Sequence, residues 1–124
     1  MKIKINNLSK KFKNNFVLKN VNLTFESGNI YGLYGRNGSG KSVFMKLLCG
    51  FYLPSSGEIL YNKINYNDMG QLPDNLGALI EKPSFFPDLT GYENLKLLSD
   101  IQKKIDLKDI DKTLKFVNLY SEKY

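Results

Sequence analysis

Eight residues near the middle of the chain limit its fold more than any others. Gly35-Arg36-Asn37-Gly38-Ser39-Gly40-Lys41-Ser42 fits the pattern G-x-x-x-x-G-K-[ST] in full. Glycines at this spacing let successive backbone N–H groups turn toward a common centre and form an anion nest. In such a cradle a buried strand is expected to deliver the loop and a helix to carry it away, the helix dipole adding positive charge at the same point. The flanks supply both expectations. Ile30-Tyr31-Gly32-Leu33-Tyr34 is a short apolar run suited to a buried strand, and Lys41 to Cys49 has a helical apolar pattern. Lys41 can then reach the β- and γ-phosphates of a nucleotide, and the Ser42 hydroxyl can ligate Mg²⁺. Nucleoside triphosphate binding is the reading that these residues support.

The rest of the chain alternates in type. Met1-Lys2-Ile3-Lys4-Ile5 predicts a half-buried strand. Ser9 to Phe16 is polar, basic and marked by Asn14-Asn15, so a loop or hairpin is expected there. Val17 to Phe25 alternates as a second strand, Ser27-Gly28-Asn29 predicts a turn, and Glu58 to Tyr61 predicts another strand after the Pro54-Ser55-Ser56-Gly57 break. Asn62 to Pro73 is expected to be loop with one more short strand at most, and Leu76 to Ile80 a buried strand. Pro83 and Pro87 mark Glu81 to Leu89 as loop. Thr90-Gly91-Tyr92-Glu93 predicts a capping box, followed by a helix carrying Leu95, Leu98 and Ile101. A second helix is expected over Asp109 to Leu119, with Ile110, Leu114 and Val117 on one face. Antiparallel-type strands, a strand–loop–helix unit and then helices make an α/β domain.

Composition excludes several classes. The chain has 124 residues, of which 42% are hydrophobic and 24% charged, so one globular domain is expected rather than a disordered chain. The single cysteine, Cys49, can form no intrachain disulfide, and with no histidine in the chain it has no base to make it a nucleophile. No signal peptide is visible, and Val43 to Leu53 is too short and broken to span a membrane. The net charge of +6 gathers on Lys2, Lys4, Lys10, Lys11, Lys13 and Lys19. A nucleic-acid or lipid-headgroup patch is one account of them and a solvated strand face the other. The chain has one arginine, so no aromatic–arginine interleaving supports nucleic acid, and no nucleic-acid partner is expected.

The flanks of the loop separate the possible families. Leu8-Ser9-Lys10-Lys11-Phe12, Val17 to Leu23, Gly28, Ile30 to Leu33, Pro54 to Ile59 and Leu89 to Leu95 resemble, in order and spacing, the opening of ABC transporter ATPase subunits. The resemblance covers essentially the whole chain. It implies a P-loop NTPase (ABC ATPase) α/β fold, incomplete, with an antiparallel β N-terminal part and the start of a helical subdomain. Residues 1–80 would be the nucleotide-binding core, and 81–124 the Q-loop-equivalent segment and the beginning of the helical subdomain.

Residue by residue, Phe12 matches the aromatic position that stacks on adenine, with Phe16 as the alternative and a core phenylalanine as the plain reading. Gly35, Arg36, Asn37, Gly38, Ser39, Gly40, Lys41 and Ser42 match the Walker A loop, which binds ATP with Mg²⁺, and Lys41 its catalytic lysine. Val43 stands where a second hydroxyl residue is usual. Glu81 stands where the family normally has a glutamine that contacts the metal and senses the transmembrane partner. With its flank, Gly77 to Pro87, it resembles the subfamily exporting bacitracin and lantibiotic-type peptide antibiotics. A carboxylate remains an oxygen ligand for Mg²⁺ but adds a negative charge. Ala78-Leu79-Ile80-Glu81 also has the form of a Walker B strand, and a plain surface glutamate is the third account. Phe85 and Phe86 lie where a permease's cytoplasmic helix docks in the family, or else plug the helical subdomain.

The resemblance also implies partners and absences. The partners are a transmembrane permease subunit, engaged through the Glu81–Leu89 loop, and a second ATPase subunit that completes the nucleotide site. The location implied is cytoplasmic, at the inner face of the cell membrane. The family's signature motif, Walker B carboxylates and switch histidine are not among these 124 residues. Binding of ATP without efficient turnover is therefore expected, and the chain reads as cut before the signature motif, with an exposed apolar face. Two alternatives stand beside this reading: a standalone nucleotide-binding or regulatory module, and another P-loop enzyme with Glu81 as its Walker B residue.

Overall fold

A computed structural model describes the whole chain apart from Asp74, Asn75, Pro83, Lys103 and Tyr124, and the backbone only of Gln102. The described residues form two compact units, Met1–Lys82 and Pro83–Tyr124.

The first unit is built on a three-stranded antiparallel sheet in the order β2-β1-β3. Its strands are β1 (Lys2–Phe12), β2 (Asn15–Glu26) and β3 (Ser56–Tyr61), with helix α1 (Lys41–Leu48) between β2 and β3. Alternation turns Ile3 and Ile5 inward and leaves Lys2 and Lys4 exposed. Ile5 and Leu8 are three residues apart, so a regular strand would place them on opposite faces. The pairing with β2 shifts register between them, with Asn7 at φ 49°, and both side chains enter the core. Ile5, Leu8, Phe44, Leu47, Ile59 and Tyr61 form that core. Each of the fully buried aliphatics contributes about 1.5–3 kcal/mol of transfer free energy.

Of the loop or hairpin expected from Ser9 to Phe16, the structure takes the hairpin. β1 continues to Phe12, which pairs with Asn15 across a turn at Lys13 and Asn14. Sheet pairing on both sides of Ser9, with Asn20 N–H donating to its Oγ and Ser55 N–H to its carbonyl, overrides the polar composition. Two strand expectations fail. Ile30–Tyr34 is irregular, with Ile30 fully exposed and Tyr34 94% exposed. Leu76–Ile80 is irregular too, and Leu79 is 74% exposed. An apolar run is a strand only where a neighbour takes its backbone hydrogen bonds, and among the described residues neither run has a paired strand. Tyr31 is held instead by Glu26 N–H donating to its hydroxyl at 3.0 Å and by an edge-on contact with Phe25. A cavity of about 580 Å³ lies along Ile3, Phe25, Tyr31, Phe44 and Leu48.

Tyr61 closes the core against α1: its hydroxyl donates to the Leu48 carbonyl and its ring meets Tyr66 edge-on. Burial, with a smaller contribution from Cys49, pushes its hydroxyl up to about 12. A raised acid stabilises the fold while neutral, so this stability is present below pH ~10, the unfolded value, and is lost as pH rises through 12. An alkaline titration followed by circular dichroism should show unfolding in that window, on the order of 2 kcal/mol from this group. Tyr61→Phe should flatten the pH dependence; an unchanged profile contradicts it.

The second unit holds α2 (Gly91–Gln102), α3 (Leu107–Phe116) and a 3-10 turn at Tyr120–Glu122. The capping box at Thr90 and Glu93 is present. Glu93 N–H donates to Thr90 Oγ1, and the Thr90 N–H and hydroxyl both donate to Glu93 Oε2, which holds the Glu93 carboxyl below its usual range. Asn94 fixes the preceding loop: its Nδ2 donates to the carbonyls of Phe86, Leu89 and Thr90, and its Oδ1 accepts from Phe86 N–H. The buried positions of α2 are Asn94 and Ser99, whereas Leu98 and Ile101, expected on its apolar face, are exposed. A buried amide with four partners outweighs leucine burial at this helix end. Leu98 and Ile101 instead line a hollow with Leu95 and Ile110. In α3, Ile110 and Leu114 are buried as expected, but the helix starts earlier, on an Asp106–Asp109 capping box, and ends before Val117. Phe85 and Phe86 are both more than half exposed. No described helix is long and apolar enough to cross a membrane.

Candidate functional site

The cradle begins after the irregular Ile30–Tyr34 segment and runs directly into α1. Gly40 caps the helix in the left-handed region, φ 93°, with no side-chain cap. The first N–H groups of α1 therefore keep no side-chain acceptor and stay available to an anion. Gly40 is also buried: a Cβ there would lie 3.0 Å from Val17 Cγ1 and 3.1 Å from the Val17 carbonyl. The start of β2 thus supports the loop from below. Ser39 N–H donates to the Arg36 carbonyl at 3.2 Å, closing the turn Arg36-Asn37-Gly38-Ser39, and Gly38 has φ 80°.

Lys41 folds back over this turn. Its ammonium donates to the carbonyls of Gly35 at 2.7 Å and Arg36 at 2.8 Å. It sits inside the loop's concavity as a fixed positive charge, while Ser42, next along, is exposed. Val43 packs half-buried against the core behind the loop.

Glu81 reaches α1 from the far side of the chain. Lys46 Nζ donates to Glu81 Oε1 at 3.2 Å. Ser42 and Lys46 are one helical turn apart and share a face, so this bond places the Glu81 carboxylate beside the face that carries Ser42. The structure brings these residues together across 35 positions of sequence, and Lys46 is the member that sequence reasoning missed. Its only signal was the i, i+4 spacing from Ser42. Glu81 has φ 65° and residues 76–80 before it are irregular, so among the described residues the buried strand that a Walker B reading needs is not there. No cluster of three or more metal-binding side chains occurs among the described residues.

Phe12 lies at the end of β1. Its ring meets Tyr52 edge-on at 5.5 Å, Lys10 Nζ lies 5.0 Å from its centroid, and the residue is 41% exposed. Two positions earlier Lys10 pairs with Leu18, whose side chain is 3.2 Å from where a Gly40 Cβ would be, so one hairpin carries both Phe12 and the cradle's support. Phe16, the alternative, is 54% exposed between Lys11 and Lys19. Tyr52 as the packing partner of Phe12 was not foreseen.

This arrangement offers a helix N-terminus without a side-chain cap, a lysine held in a loop of backbone dipoles, an exposed hydroxyl and an aromatic ring. Such a set fits a phosphate-bearing ligand, with Ser42 and Glu81 as oxygen donors of the kind Mg²⁺ takes.

Residues 18–124 match the ABC transporter family. The bacitracin transport ATP-binding protein BcrA of Enterococcus faecalis is 36% identical over 122 residues, 98% of this chain and 40% of BcrA. The lantibiotic transport ATP-binding protein SrtF of Streptococcus pyogenes is 34% identical over 99 residues, 78% of this chain and 42% of SrtF. The dimeric post-hydrolysis structure of the ATP-binding cassette MJ0796, bound to ADP and Pi, superposes with a TM-score of 0.70 at 27% identity, covering 84% of this chain and 49% of that one. The chain thus spans less than half the length of each. On the family match, these residues belong to the ABC transporter family, as part of its ATP-binding domain.

Proposed function

We propose that this chain binds MgATP in the Gly35–Ser42 loop as the ATP-binding portion of an exporter for peptide antibiotics of the bacitracin type. The observation that carries the reading is Lys41, clamped across the Gly35 and Arg36 carbonyls above a helix start with no side-chain cap. In this reading Gly35, Arg36, Asn37, Gly38, Ser39 and Gly40 surround the phosphates, with Val43 continuing the cradle. Lys41 offsets the charge of the terminal phosphates. Ser42 and Glu81 hold Mg²⁺, which supplies further charge neutralisation there. Phe12 stacks on adenine. Residues 1–80 act as the nucleotide-binding core and 81–124 as the start of the helical subdomain. A transmembrane permease docks on the Glu81–Leu89 loop, of which Pro83 lies outside the described residues, and a second ATPase subunit faces the nucleotide. The place of action is the inner face of the cell membrane.

Hydrolysis needs a residue that positions water and donors that stabilise transition-state charge. The residues named here provide a cradle and no such pair, so the 124 residues bind ATP without efficient turnover. Calorimetric titration tests the reading. ATP should bind saturably and more tightly with Mg²⁺, with no phosphate release above background; an absence of binding contradicts it. Phe12→Ala separates the adenine contact from the phosphate contacts. It should weaken ATP by about 1–3 kcal/mol, the range of one base–aromatic stack. Inorganic tripolyphosphate should bind both chains alike; equal loss for the two ligands would show that Phe12 does not meet the base.

A further inference from the structure

Glu81 has a role in the proposed site, and Lys46, its ion-pair partner on the face of α1 that carries Ser42, has none. Lys46 Nζ to Glu81 Oε1, at 3.2 Å, is the only side-chain bond of the Glu81 carboxylate among the described residues. The pair is half-open to solvent, with the lysine side chain 30% and the glutamate side chain 66% exposed. Exposed pairs of this kind add little stability. Three features say that this one serves a position instead.

The base of Lys46 is rigid. Its carbonyl accepts from Phe51 N–H at 2.9 Å and from Tyr52 N–H at 3.3 Å, which fastens it at the end of α1, and its ammonium lies 6.0 Å from the Tyr52 ring centroid. Glu81, in contrast, has φ 65°, a conformation that a non-glycine residue keeps only when its surroundings hold it. The geometry of the bond is also selective. Lys46 engages Oε1 alone, so Oε2 has no side-chain partner among the described residues.

We propose that Lys46 is a positioning residue for Glu81, holding one carboxylate oxygen so that the other faces the divalent cation beside Ser42. This rests on the MgATP reading above. Partners that orient a metal-binding carboxylate commonly change metal affinity by about 10–100-fold when removed.

Calorimetric titration with ATP, once in Mg²⁺ and once in EDTA, tests it. Lys46→Met should lose about tenfold of the affinity gained from Mg²⁺, while affinity in EDTA stays within about twofold, and Lys46→Arg should restore most of the gain. Glu81→Ala should show a similar loss, and adding Lys46→Met to it should cost nothing more, because the two act through one bond. An equal loss in Mg²⁺ and EDTA would show a merely structural lysine and overturn the proposal, as would a full Mg²⁺ gain in Lys46→Met. Should Lys46→Met not fold, Glu81→Ala against wild type decides alone: an undiminished Mg²⁺ gain overturns the proposal. A wild-type chain that binds no ATP in either buffer overturns the nucleotide reading, and this one with it; wild-type binding with an intact gain in Lys46→Met overturns only this one.

Discussion

Gly57→Ala should unfold the N-terminal sheet. Gly57 lies in β3 at φ 79°, opposite the bulge in β1, and a Cβ there would come within 2.3 Å of the Asn7 carbonyl oxygen and 2.5 Å of the Asn6 carbonyl oxygen. The left-handed conformation alone costs an L-residue about 1–2 kcal/mol. The contact adds more, because the atoms in the way are backbone and cannot rotate aside. Relieving them means separating β1 from β3, which breaks the pairing of Ile5 with Ile59 that brings two core residues together. The total should exceed ~3 kcal/mol, a large part of the stability of a small domain. Gly28→Ala is the control, since Gly28 has φ 86° with nothing within 4 Å of an added Cβ. Urea denaturation followed by circular dichroism should show a loss of about 1 kcal/mol for Gly28→Ala and a chain largely unfolded without urea for Gly57→Ala. Similar midpoints for the two would mean that β3 does not sit against the Asn7 bulge.

Lys41→Ala should remove most ATP binding while leaving the fold in place. The lysine side chain is not in the core, and its two bonds go to carbonyls of an exposed loop. Toward a polyphosphate the same ammonium makes charge-assisted hydrogen bonds inside a ring of backbone dipoles. Removing one partner of such a pair costs about 2–5 kcal/mol, which is roughly 30-fold or more in Kd. Lys41→Arg should recover only part of it, because a planar fork does not fill the space of a compact ammonium. The thermal midpoint should move little. Calorimetry on the three chains checks this, and a loss in Kd below about threefold for Lys41→Ala would place the phosphates elsewhere.

The cradle and α1 were legible because their information is local. The glycine spacing encodes the backbone turn, and the apolar period of Lys41–Leu48 encodes the helix. The resemblance to ABC ATPase subunits, read from Leu8–Phe12, the loop and Leu89–Leu95, agrees with the family match over residues 18–124. What failed depends on partners. Ile30–Tyr34 and Leu76–Ile80 have strand composition, but composition does not say whether a neighbour exists to accept the backbone bonds. β1 ran longer than its polar residues suggested because Ser9 is paired from both sides. In α2 the leucine spacing was real, but the Asn94 side chain takes the buried position through bonds to loop residues as far back as Phe86. Lys46 stayed invisible because its meaning comes from Glu81, 35 residues away, and no local pattern couples the two.

The most direct test of the central claim locates the nucleotide. Backbone amide resonances of the ¹⁵N-labelled chain, recorded during titration with ATP and Mg²⁺, report on each cradle N–H separately. The account predicts saturable shifts concentrated at Gly35 to Val43, with smaller ones at Phe12 and Glu81, all needing about 30-fold or more ATP in Lys41→Ala. Saturable shifts elsewhere with Gly35–Val43 unmoved, or no shifts at all, would contradict it.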